Sequence, residues 1–92
     1  MIRSFRCPDT ERIFRGYRSP ALPPDIQDRA LEKLRRLHAA RSLSELAALR
    51  GNRLEQLKGD RAGQFSIRIN DQWRICFDWH DGAENVEIVD YH

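Results

Sequence analysis

The sequence predicts an α+β fold in which N-terminal helices pack on one face of a mainly antiparallel sheet. Two observations point there. Gln64 to Ile69 and Gln72 to Trp79 both alternate and carry aromatic or β-branched residues, and Asn85 to Tyr91 is a third strand-like run. Asn70-Asp71 and Asp81-Gly82 stand between them as turn signals, so the three runs form an antiparallel meander. Further upstream, Ile26, Ala30, Leu31, Leu34, Leu37 and His38 describe one apolar stripe of a long helix. That helix is the natural cover for the face bearing Trp73, Ile75, Phe77 and Trp79, while Arg74, Cys76 and Asp78 take the opposite face.

In chain order, Met1 to Phe5 is a short run that could add an edge strand. Asp9 or Thr10 is placed to cap a short helix ending near Gly16, with Ile13, Phe14 and Tyr17 as its apolar positions. The segment RSPALPPD is a linker, and Pro24 or Asp25 begins the main helix. Proline in a first turn loses no needed hydrogen bond, and Asp25 and Asp28 suit the positive end of the dipole. Ser42 and Glu45 form a capping-box pattern for a second short helix through Leu49. Leu54 and Leu57 are apolar anchors in the following segment, and Gly51, Gly59 and Gly63 mark turns.

With 92 residues, the chain supports one domain and one core, residues 1–92. At 40% apolar and 33% charged residues, the composition excludes wholesale disorder. No apolar run is long enough to span a bilayer and the N-terminus has no signal-peptide h-region, so the expected location is the cytoplasm, with no membrane partner. Cys7 and Cys76 have no metal spacing and read as free thiols in a reducing compartment rather than a disulfide. Residues 1–50 hold eleven Arg/Lys against six Asp/Glu, whereas residues 51–92 hold five against eight. Fourteen of the sixteen basic residues are arginine, which favours phosphate-like partners; an ordinary solvated surface is the alternative.

Nucleotide-binding loops, hydrolase elbows and zinc-binding patterns are missing, so neither metal nor cofactor is expected. His38 reads as structural and His80 as a surface residue of a turn. The set that could carry chemistry is Lys58, Arg61, Arg74, Asp90, Tyr91 and His92. If the last run pairs with the central one, the C-terminal residues return beside Gln72 to Arg74. Whether Lys58 reaches the same cluster is left open by strand parity. Cations beside an imidazole and a carboxylate suit metal-free RNA cleavage. A base takes the ribose 2′-hydroxyl proton, the oxygen attacks phosphorus, and an acid protonates the departing 5′-oxygen. Histidine, with an ordinary pKa of about 6.5, serves either role near neutrality.

At these residues the chain resembles toxins of the HigB group, in the RelE/ParE superfamily of bacterial toxin–antitoxin modules. The likeness rests on MIRSF at the start, LKGDRAGQFSIRINDQWRICF at 57–77 and VEIVDYH at 86–92. It implies a RelE-like fold and a ribosome-dependent endoribonuclease that cuts messenger RNA in the decoding site. It also implies neutralisation by a helix-turn-helix, HigA-like antitoxin. Catalytic roles are implied for Lys58, Asp90, Tyr91 and His92, and substrate-binding roles for Arg74, Arg61 and Glu55. Glu55 stands where a histidine is often found in that family, three residues before the lysine, which shifts the expected burden of proton transfer to His92. Arg3, Arg6, Arg29, Lys33, Arg35 and Arg36 become candidate contacts to small-subunit ribosomal RNA. The ParE branch instead poisons gyrase, so a non-enzymatic gyrase inhibitor is the alternative function.

Overall fold

The computed structural model describes residues 1–91; His92 lies outside the described residues. Three helices, α1 (Pro8–Phe14), α2 (Pro24–Ala39) and α3 (Leu43–Ala48), precede a four-stranded sheet of β1 (Glu55–Gln56), β2 (Phe65–Arg68), β3 (Trp73–Trp79) and β4 (Ala83–Asp90). The sheet runs β1-β2-β3-β4 with every neighbouring pair antiparallel.

The helix-side core follows the alternation. Ile75 and Phe77 are fully buried with Ile67 of β2, Ile69 just after it and Val86 of β4, and Ile88 is nearly so, under Ile26, Ala30, Leu34 and Leu37 of α2. Trp73 and Trp79, at the two ends of β3, pack only partly against this core. The stripe on α2 is narrower than its sequence pattern, because His38 is exposed and Leu31 half-buried. Gln27 is buried instead. Its amide accepts from the Ser19 N–H (3.1 Å) and donates to the Ser19 and Leu22 carbonyls (2.8 and 2.9 Å), which fastens the linker to the helix. His38 is structural: its Nδ1 accepts from the Ile2 N–H at 3.1 Å, and its ring lies 5.2 Å from that of Phe14.

Two helix starts differ in detail from expectation. Proline occupies the first turn of α1, whose N-cap is Cys7, so the helix begins before Asp9 and Thr10 rather than at them. Those two side chains work elsewhere: Asp9 accepts from the Ser19 hydroxyl at 2.7 Å, and the buried Thr10 hydroxyl accepts from the Ile88 N–H at 3.0 Å. At α3 the Ser42 hydroxyl accepts from the Glu45 N–H, as a capping box requires. The reciprocal bond goes one residue further back, from the Arg41 N–H to the Glu45 carboxylate.

The N-terminal run bridges β4 in parallel at Ile2–Ala83 and Phe5–Val86 rather than forming a full strand. Together with Thr10 it occupies N–H and C=O groups on the outer edge of β4, protecting that edge from pairing with other chains. Gly82 makes this contact possible, since a Cβ there would sit 2.9 Å from the Met1 carbonyl oxygen.

A polar face and a returning tail form the candidate active site

The register places Glu55, Ser66, Cys76 and Glu87 in one row across the four strands, on the face opposite the helices. The next row on that face is Arg68, Arg74 and Val89. Strand alternation puts Tyr91 there as well, while Asp90 falls on the helix-side parity. The tail returns as expected: Asp90 pairs with Trp73, and the Tyr91 N–H donates to the Gln72 carbonyl at 2.6 Å. The Gln72 amide also donates to the Asp90 carboxylate at 3.1 Å.

Arg74 lies on the predicted face, but that face is not open above it. The side chain is only 8% exposed. Its Nε donates to the Ser66 hydroxyl at 2.7 Å, and its Nη2 to the carbonyls of Ser66 and Arg53. Arg53 itself sits in the left-handed region at φ 43°, a conformation unfavourable for a residue with a Cβ. The buried guanidinium therefore pins the 50–56 segment against the sheet, and satisfied donors are what permit a charge to be buried there.

Arg61 reaches the same face from the loop between β1 and β2. It donates to Glu87 at 2.8 Å and to Gln64 at 3.1 Å. The hydrogen bond that Arg61 donates to Glu87 raises the Arg61 pKa above its ordinary value, with burial opposing this and Cys76, Glu87 and Tyr91 adding to it through their charge. Arg6 approaches Glu87 at 3.8 Å from the other side. Beneath this bridge Cys76 is fully buried and its thiol is pushed up, chiefly by desolvation and also by Glu87, against the opposing influence of Arg61 and Arg74. Cys76 is thus an inert thiol in the floor of the face.

Glu55 is exposed at the outer end of the first row, opposite Ser66. Lys58 is exposed at the start of the tight turn Gly59–Arg61. Its backbone belongs to the end of the sheet marked by the Phe65–Phe77 pair, whereas Asp90 belongs to the Trp73 end. Four residues of strand separate the two pairs, roughly 13 Å of rise. The fold therefore brings Arg61, Arg74, Glu55 and Tyr91 onto one face and Asp90 to its edge, while Lys58 starts from the far end. Among the described residues no group of three or more His, Cys, Asp or Glu side chains could hold a metal ion.

Glu87, Gln72 and Ser66 are site residues that the sequence reading did not single out. Glu87 was within reach of the alternation argument, because it shares the parity of Tyr91. The role of Ser66 required the tilt of the Arg74 side chain along the strand, which no spacing reveals.

Helices laid over one side of an antiparallel meander, with the terminus folded back onto its central strand, are the architecture of RelE-like toxins. A family model described as a RelE-like toxin of type II toxin–antitoxin system HigB matches residues 3–92, and the chain belongs to this HigB-like toxin family. It is 39% identical over 71 residues to Toxin HigB-1 of Vibrio cholerae, covering 77% of this chain and 75% of that protein. It is also 32% identical over 93 residues to Endoribonuclease HigB of Proteus vulgaris, covering both chains in full. No helix among the described residues is long and apolar enough to cross a membrane.

Proposed function

We propose that residues 1–92 act as one toxin domain, a ribosome-dependent endoribonuclease that cleaves messenger RNA without a metal. The observation that carries this reading is the return of the tail. Asp90 and Tyr91 lie beside Gln72 and Trp73, at the edge of a face that already holds two arginines, and His92 is the next residue in the sequence. The full-length similarity to a protein named an endoribonuclease supports it.

In this scheme His92 exchanges a proton with the ribose 2′-hydroxyl or with the leaving oxygen, and Asp90 either orients it or is its proton-transfer partner for the other of these two steps. The 2′-oxygen attacks phosphorus and the bond to the 5′-oxygen breaks, leaving a 2′,3′-cyclic phosphate and a 5′-hydroxyl. Tyr91, on the other parity, stacks on or positions a base. Arg74 acts from below, by its charge and by fixing the Arg53 carbonyl, since its Nε and Nη2 are engaged. Direct grip on the phosphate is assigned to Lys58, exposed at the start of the loop, and to Arg61, which would exchange its Glu87 contact for the phosphate. A HigA-like helix-turn-helix antitoxin is the expected neutralising partner, and the small ribosomal subunit the expected platform.

The test is cleavage of a messenger RNA on purified ribosomes, with the decoding-site codon as ribose or as 2′-deoxyribose. The scheme predicts cuts with cyclic-phosphate ends that vanish when the 2′-hydroxyl is removed. Cuts that persist on deoxyribose, or inhibition of gyrase supercoiling with RNA left whole, would replace it.

A further inference from the structure

Beside α2, at the end of β2 where Arg68 closes the polar row, three positive side chains converge on a depression of about 310 Å³ that the turn at Gly51 also bounds. Its walls carry Arg29, Lys33 and Arg68, with Glu32 the one carboxylate and Gly51 and Ile69 completing the lining. The two cations from α2 are held by neutral oxygens rather than by acids. Lys33 Nζ donates to the Asn52 side-chain oxygen at 2.7 Å, and Arg29 donates to the Ile69 carbonyl at 3.4 Å. Asn52 is fully buried, and its amide nitrogen donates to the Leu46 carbonyl at 3.1 Å, so its oxygen is fixed facing Lys33. Neutral acceptors position an ammonium and a guanidinium without cancelling their charge. Glu32 meanwhile bonds Arg36 at 3.3 Å, and the Asp71 partner of Arg68 is 99% exposed, where solvent screens it.

We propose that this depression is a phosphate-binding site that takes one phosphodiester of a single-stranded RNA. The proposal deepens the nuclease reading by giving the strand a second anchor. The turn that ends β2 at the depression continues directly into Gln72, which contacts Asp90 and Tyr91, so a strand seated here is led toward the tail. The Lys33 ammonium is held below its ordinary pKa by burial first and then by Arg36, with Arg29 and Arg68 adding to the effect against Glu32. An anion in the depression would relieve that repulsion.

Gly51 supplies a test that removes no cation. A Cβ there would meet only Lys33 Nζ, at 3.6 Å, an ordinary contact, so Gly51→Asp sets a carboxylate in the depression and Gly51→Asn is its neutral match. The probes are a 2′-O-methyl oligoribonucleotide, which cannot be cleaved, its methylphosphonate counterpart, and inorganic phosphate, titrated with the full chain by NMR. The oligoribonucleotide should shift the amides of Lys33, Gly51, Asn52 and Arg68. G51D should weaken it by about tenfold, and G51N should stay within about twofold of the parent. Equal binding by G51D and G51N, or by the methylphosphonate strand, overturns the site. Shifts from inorganic phosphate that the oligoribonucleotide does not displace overturn the RNA assignment and leave a site for a free anion. The nuclease reading fails separately. If G51D loses RNA while the parent cuts no messenger on ribosomes, the anchor stands and the nuclease falls; if G51D binds RNA as G51N does while the parent still cuts, the reverse holds.

Discussion

The two faces of the sheet are built from alternate residues of the same strands, yet they are stabilised by different forces. On the helix side, Ile67, Ile75, Phe77 and Val86 are buried against α2 by apolar contact, and the pattern tolerates exchange of one hydrophobe for another of similar volume. On the far side, Ser66, Arg74 and Cys76 are also buried, but there the guanidinium of Arg74 is held by the hydroxyl and carbonyl of Ser66. Burial of this second kind is specific and brittle: a missing partner leaves an unsatisfied group rather than a cavity. The comparison explains how a chain of this size can carry an apolar core and a polar face on one sheet only four strands wide.

Substitutions on the two faces should therefore differ in what they disturb. The largest effect on stability is expected for Phe77→Ala, which should cost about 3–5 kcal/mol by emptying the centre of the core. Chemical denaturation would measure it, and a loss under about 1 kcal/mol would show that the helix-side face is not the principal core. Arg74→Ala should cost less, about 2–3 kcal/mol, because it strands the Arg53 carbonyl and the Ser66 hydroxyl. It should also loosen the 50–56 segment selectively, seen as faster amide exchange there than in β3. Uniform acceleration across the protein would mean that Arg74 does not pin that segment.

A smaller effect should follow from Glu87→Gln, which weakens the Arg61 bridge above Cys76. Local opening should make the Cys76 thiol roughly fivefold faster to react with a thiol reagent, equivalent to about 1 kcal/mol. An unchanged rate would mean that the loop is held by other contacts. The Cys76 pKa is raised in the fold, so its protonated form contributes stability below the ordinary thiol pKa of 9.0 that is lost as pH rises through 9.0 toward the folded value. Cys76→Ala should flatten stability across that alkaline window, and an equally steep decline in the variant would assign the loss to other groups. Glu55→His should change stability least of all, since the residue is exposed, and it should raise cleavage if a proton donor at that position helps. An unchanged or lower rate would contradict the inferred burden on His92.

The sequence made one face far more legible than the other. Alternation through Trp73, Ile75, Phe77 and Trp79 and the stripe on residues 26–37 locate the core because hydrophobic burial is periodic and non-directional. The tail's return beside Gln72 also followed from two turn signals and one antiparallel pairing. The two-residue strand Glu55–Gln56 was not legible, because so short an element is defined by its partner Phe65–Ser66 rather than by its own pattern. The burial of Arg74 was missed for a related reason: alternation names the face of a side chain, but the cover over that face comes from the irregular 49–64 segment. Pro8 moved the start of α1 ahead of the two residues that looked like caps, one of which, Thr10, turned out to serve the edge of β4.

The central claim is that the polar end of this sheet performs chemistry through the residue that follows Tyr91. The most direct measurement compares the parent chain with His92→Ala, scoring messenger RNA cleavage on ribosomes alongside ribosome binding. The account predicts unchanged folding and binding with cleavage reduced by about a hundredfold or more, the usual contribution of a general acid or base. Full-rate cleavage by a folded, ribosome-bound H92A protein would contradict it.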